Sequence, residues 1–174
     1  MPKVARDPLL AVARVVLVFL QLISGFAAIS LAIALPAVLI FRSSVLAEFA
    51  EEGVSTDAFW PMTAMIVLGL ATAVLVFVLV RLTRRIVDTV ALGDPFVPDN
   101  AQRLSLMAWC MLAIQIVTIP LATFARQLES ITEGTPDTEL SISLSGLLFV
   151  LVLFILARVF RKGTEMRSEL EGTV

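Results

Sequence analysis

FWPMTAMIVLGLATAVLVFVLV, residues 59–80, holds no charged side chain and is followed at once by RLTRR, residues 81–85. At 1.5 Å per residue a helix of this length crosses a hydrocarbon core about 30 Å thick. Trp60 and Pro61 stand at its start, an interfacial aromatic beside a residue suited to the first turn of a helix. The stretch therefore reads as a transmembrane helix with an aromatic anchor at one end and a cationic anchor at the other.

Three further segments share its character. With it they predict spans at about residues 15–41, 59–80, 104–124 and 142–157. The expected fold is all-α: a polytopic membrane protein with four transmembrane helices in a bundle, residues 1–174 forming one such domain with short tails. Hydrophobic residues make up 59% of the 174, above the roughly 45–50% of soluble domains. That leaves no room for a separate soluble domain beside four spans. The first segment is far longer than the apolar core of a signal peptide, so it is expected to be retained.

The charges are segregated. Lys3, Arg6 and Arg14 precede the first span, and Arg81, Arg84, Arg85 and Arg103 lie between the second and third. Arg158, Arg161, Lys162 and Arg167 follow the fourth. Only Arg42 and Arg126 fall in the other two connections, which carry Glu48, Glu51, Glu52 and Asp57, then Glu129, Glu133, Asp137 and Glu139. The positive-inside rule then places both termini and the middle connection in the cytoplasm. The lipid bilayer is the first partner this implies.

Composition excludes several chemistries. The chain has no His and one Cys. A bis-His haem, a His-based zinc site, a His general base and an intramolecular disulfide or dithiol relay are all ruled out by arithmetic. No cofactor, metal or catalytic residue is expected, and the chain reads as a non-enzyme. Asp88, Asp94 and Asp99 are explained by caps and ion pairs at least as well as by a metal. The span interiors lack Asp, Glu, Lys and Arg, whereas proton-coupled transporters place such groups in the membrane. Gln21 and Gln115 are the amide side chains there. Interhelical hydrogen bonds explain them more simply than a ligand cavity. Ser24, Ala28, Ala32 and Pro36, and the pair Gly69 and Ala73, read as faces for close helix packing inside the bundle.

The two halves of the chain are alike. RLTRRIVD at 81–88 and RVFRKGTE at 158–165 both fit R-x-x-R-(R/K)-x-x-(D/E). Pro36 stands before Arg42 as Pro120 stands before Arg126. Each half starts on the same side, so a duplication would be of the parallel, 2+2 kind. Leu82, Ile86 and Val90 carry helical spacing beyond the second span, and Arg84/Asp88 and Arg161/Glu165 are i,i+4 pairs. Gly93 then reads as a C-terminal cap before Pro95, and Asp99 as the N-cap of the third helix.

Residues 93–104, GDPFVPDNAQRL, with the tail 156–174, LARVFRKGTEMRSELEGTV, carry a resemblance. G-(D/N)-P-F followed by N-A-x-R-L, and R-x-G-x-E-x-x-x-E-L ending in T-V, resemble a family of small bacterial four-span membrane proteins catalogued as domain of unknown function 2975. The resemblance covers essentially the whole chain. It implies the bacterial cytoplasmic membrane and supplies no catalytic residue. Members are often encoded beside a small helix-turn-helix repressor of the Cro type, which implies a cytosolic regulatory partner by association alone.

The reading that follows is a regulatory or sensory membrane protein whose cytoplasmic face meets such a regulator, without direct nucleic-acid binding. Homo-oligomerisation is left open. The candidate partner-binding residues are Gly93, Asp94, Pro95, Phe96, Asn100, Arg103, Arg161, Gly163 and Glu165, because a capped turn with an exposed phenylalanine exceeds what topology requires. The alternative is a small-solute transport or permeability protein or subunit, resting on Gln21, Gln115 and the two prolines.

Overall fold

The computed structural model describes residues 8–132 and 143–171. Five α-helices follow one another: α1 (Pro8–Ile40), α2 (Arg42–Glu51), α3 (Phe59–Ala91), α4 (Pro98–Ile131) and α5 (Leu144–Glu171), with a 3-10 turn at Thr56–Ala58. Four of them, all but α2, are long and apolar enough to cross a membrane. α4 outruns its expected apolar core at both ends, and α1, α3 and α5 outrun theirs at the charged end, because helical hydrogen bonding continues into the polar flanks. Residue 142, the expected start of the fourth span, lies outside the described residues. We call the end that carries the start of α1, the α3–α4 turn and the end of α5 the basic end, and the opposite one the acidic end.

The helices pack in chain order. α1 lies on α3, α3 on α4, and α4 on α5. The result is an open bundle with α1 at one edge. Its main core is near the basic end, where Leu82, Leu104, Met107, Ala108, Leu153 and Ala157 bury one another, flanked by Ile86, Met111, Phe154 and Phe160. α1 contributes only Ser24 to the buried set. Water would penalise so many exposed Leu, Ile and Phe side chains, but lipid tails do not.

The face of α1 turned to α3 is centred on Leu17, Gln21, Ser24, Ala28, Leu31, Leu35 and Val38, alternating steps of four and three. The predicted stripe needs correcting here: Ser24 is buried and Ala28 half-buried, but Ala32 and Pro36 are exposed. Steps of four alone advance about 40° each around a helix of 3.6 residues per turn, so such a stripe drifts off the interface. Gly69 faces α1, but a Cβ there would lie 3.5 Å from Leu31 Cδ1, an ordinary contact, so the position does not require a glycine.

Hydroxyl groups inside the helices are satisfied locally. Ser24, Thr63, Thr72, Thr83 and Thr118 donate to carbonyls one turn back, at 2.8–2.9 Å. No buried side-chain nitrogen or oxygen among the described residues lacks a partner. That bonding suits a medium with no water to substitute.

At the acidic end α1 breaks at Phe41 (φ −93°, ψ 27°) and α2 sets off from Arg42. Gly53, at φ +73°, ends α2, with Gly53 N–H donating to Ala50 O and Val54 N–H to Phe49 O. This is a Schellman turn. The Arg42 guanidinium lies 5.1 Å from the Phe59 ring centre and 5.6 Å from that of Trp60. The half of the chain beyond Pro120 differs, because α4 runs unbroken to Ile131.

α5 starts part-way down α4. Ser143 Oγ accepts from Gly146 N–H at 3.1 Å and so caps the new helix. Gln115, midway along α4, donates through Nε2 to the Ser143 carbonyl at 3.2 Å. A methyl group on Gly146 would overlap that Gln115 amide. Gln115 is thus spent on docking the first turn of α5.

Candidate functional site

The predicted partner-binding residues meet at the basic end, where two helix ends and a turn are tied together. α3 ends at Ala91 and Gly93 takes φ +85°. Gly93 N–H donates to Val90 O at 3.0 Å and Asp94 N–H to Thr89 O at 3.2 Å, a second Schellman turn. The glycine is needed for its backbone angle, since nothing lies within 4 Å of a Cβ placed there.

α4 begins two residues earlier than expected. Its N-cap is Val97, with no side-chain cap, and Pro98 takes the first helical position. The Asp99 N-cap is therefore corrected: Pro98 lacks an N–H and has a helical φ, so it opens the helix and leaves Asp99 in the first turn. Asp99 still favours that end through the helix dipole, and it pairs with Arg103 at 3.1 Å.

Asn100 is the knot of this turn. It is wholly buried. Its Nδ2 donates to Thr89 Oγ1 at 2.7 Å and to Pro95 O at 2.9 Å, and its Oδ1 accepts from Arg103 at 2.8 Å. Thr89 in turn donates to Ile86 O at 2.8 Å. One amide thus holds the end of α3, the turn and the start of α4. It has no face left for another protein.

α5 is clasped onto this turn. The Phe96 ring stands 5.3 Å from that of Phe160, and it lies against Gly163, where a Cβ would come within 2.9 Å of it. Arg167 pairs with Asp94 at 2.5 Å. The two sequence motifs, far apart in the chain, therefore meet in space, and Gly163 is the notch that admits Phe96.

Two predicted ion pairs are replaced. Asp88 pairs with Arg14 of α1 at 2.8 Å, and Arg84 donates to Gln21 Oε1 at 3.3 Å. Glu165 pairs with Lys162 at 3.2 Å in place of Arg161. An exposed i,i+4 pair is worth only about 0.3–0.5 kcal/mol, so a neighbouring helix or a shorter reach decides the partner. Asp88, Asp94 and Asp99 each hold a different arginine, and among the described residues no three Cys, Asp or Glu side chains converge.

Two polar-mouthed grooves flank the clasp. One, of about 480 Å³, lies between α4 and α5 and is lined by Ser105, Phe154, Arg158, Arg161, Lys162 and Glu165. The other, of about 440 Å³, lies between α1 and α3 and includes Gln21, Gly25, Phe77 and Arg84. Thr89, Phe160 and Arg167 belong to the clasp but lay outside the predicted set. Phe160 and Arg167 stand within the tail motif, whereas a contact across a turn, such as Thr89 with Asn100, leaves no periodic trace. Val174, at the end of that motif, lies outside the described residues.

These features define an integral membrane protein of four spanning helices whose basic end is a stapled turn. The family described as "Protein of unknown function (DUF2975)" matches residues 9–174, and the chain belongs to it. Neither the curated proteins nor the solved structures give a match to this chain.

Proposed function

We propose that this is a non-enzymatic regulatory or sensory protein of the bacterial cytoplasmic membrane. The basic end faces the cytosol, as the distribution of Lys and Arg favours, and it meets a cytosolic partner of the helix-turn-helix kind. The observation that supports the reading most is the clasp. Asp94, Phe96, Gly163 and Arg167 hold α5 on the α3–α4 turn, which creates one defined surface from two distant motifs. That surface carries Arg158, Arg161, Lys162 and Glu165 along α5 and Leu92, 82% exposed, at the tip of the turn. Topology alone requires the charges but not their arrangement. An acidic patch with an apolar contact for Leu92 is the matching chemistry on the partner.

Asn100 acts behind this surface as a positioning residue, as do Gly93, Pro95 and Arg103. Transport has less support, since Gln21 and Gln115 are both occupied in interhelical contacts. The experiment is co-purification from native membranes, with reporter fusions at both termini and at Gly53 fixing the orientation. Replacing Phe96 with Ala, or removing residues 164–174, is expected to leave the protein inserted and to lose the partner. Gln115→Leu is expected to keep it. A wild type that retains no cytosolic protein, in vesicles that move a solute the Gln115→Leu protein does not, overturns the reading.

A further inference from the structure

The α1–α3 groove is unlike a packing defect. Its floor is Gly25, which faces Phe77: a Cβ there would make an ordinary contact, 3.4 Å from the Phe77 ring, and a longer side chain would enter the groove. Phe26 and Ile29 form an apolar wall open to the surroundings, 75% and 62% exposed. At the groove's basic-end mouth stands Arg84, which donates to the neutral Gln21 Oε1 at 3.3 Å. Among the described residues no carboxylate lies within ion-pairing distance of it. From Gln21 to Ile29 the groove runs about 12 Å along α1. A cation at the edge of the hydrocarbon thus tops an apolar channel that runs toward the membrane interior.

The likeness between the two halves of the sequence supplies an independent comparison. The offset that places Arg81 on Arg158 also places Phe77 on Phe154 and Arg84 on Arg161. The offset that places Pro36 on Pro120 also places Gln21 on Ser105 and Gly25 on Trp109. The two grooves occupy these equivalent positions. Beside the α4–α5 groove Trp109 packs edge-on against Phe154, ring centres 5.4 Å apart. In the α1–α3 groove the equivalent floor residue is a glycine, so the apolar channel stays open.

We infer that the α1–α3 groove is a binding site for one anionic phospholipid. Arg84, oriented by Gln21, holds the headgroup phosphate by charge-assisted hydrogen bonds. The upper part of an acyl chain lies over Gly25 between Phe26, Ile29 and Phe77. A lipid fits both parts of the groove: its phosphate matches the uncompensated arginine at the interface, and its tail matches the apolar channel. The α4–α5 groove is lined by Arg158, Arg161, Lys162 and Glu165 beside Phe154 and Ala157, so it is a charged groove that lacks the tail half of the site.

The test uses the full chain reconstituted in vesicles of phosphatidylethanolamine with a minority of phosphatidylglycerol, then re-extracted in mild detergent. Native mass spectrometry counts the phospholipid retained on each chain. The wild type is expected to keep one phosphatidylglycerol. Arg84→Gln is expected to retain it about tenfold less, and Arg84→Lys to rescue most of the loss. Gly25→Leu, which fills the floor, is expected to lose it as well, while Arg161→Gln keeps it. Helicity and elution volume verify that each variant is folded. Equal loss in Arg84→Gln and Arg161→Gln would mean diffuse surface charge and overturn the site. Displacement by excess inorganic phosphate, with Gly25→Leu behaving as wild type, would reduce it to a phosphate contact and overturn the acyl half. A wild type that holds no lipid but dimerises through α1 overturns it in favour of a second copy.

Discussion

Asn100 shows what a single buried amide does in a membrane protein's polar end. It makes three hydrogen bonds with no exposed surface. Replacing it with Leu keeps the volume roughly but leaves Thr89, Pro95 O and Arg103 short of a partner. An unsatisfied buried polar group costs about 1–3 kcal/mol. Asn100→Leu is therefore expected to destabilise the folded protein by about 2–3 kcal/mol, read as a lowered melting temperature in detergent. Asp99→Ala, which removes an exposed pair, is expected to cost no more than about 1 kcal/mol. Equal effects would mean that Asn100 is not the knot. The sequence marked Asn100 as notable but suggested an outward role. Burial is a property of what surrounds a residue, and the residue that fixed it, Thr89, sits on another helix.

At the scale of elements, the informative one is α5. Its first turn is capped by Ser143 and fastened by Gln115, and its last turns are fastened by Phe96 and Asp94. The middle is held by apolar packing of Leu153 and Ala157. Gly163→Val places a branched side chain where Phe96 lies, so the ring must move. Faster hydrogen exchange is expected across residues 158–169, with little change in α1 or α3, and with the spans still inserted. Slow, unchanged exchange in that stretch would show that α5 does not depend on the clasp. The predicted helical tail was legible from its spacing and charge. Its docking on the turn was not, because the ion pair that joins them, Arg167 with Asp94, spans most of the second half of the chain.

The whole molecule is a row of helices in chain order, with α1 packed chiefly on α3. Cysteine cross-linking checks that order in a Cys110→Ser background. Leu31→Cys with Gly69→Cys is expected to cross-link readily, because those positions are in contact. Val18→Cys with Val152→Cys, on helices that do not pack together, is expected to cross-link within one chain only at background level. An efficient intramolecular link between α1 and α5 would mean a closed bundle instead. The opening leaves two lipid-facing edges, and α1 is therefore the element most readily reached by lipid or by another protein.

Long uncharged runs, their basic ends and the Gly93 turn were determined by the sequence alone, because each rests on local physics. A run of apolar residues has no stable place in water, a helix needs its own backbone bonds in lipid, and a positive φ favours glycine. Which helix faces which, which arginine meets which acid, and where α5 starts against α4 were decided only by the tertiary structure. Arg14 could not be matched to Asp88, nor Arg84 to Gln21, until α1 was laid on α3 in register. Long cationic side chains have many acceptable partners at nearly equal energy. Packing of the apolar faces selects among them, and that selection turned a basic run into a clasp and a groove.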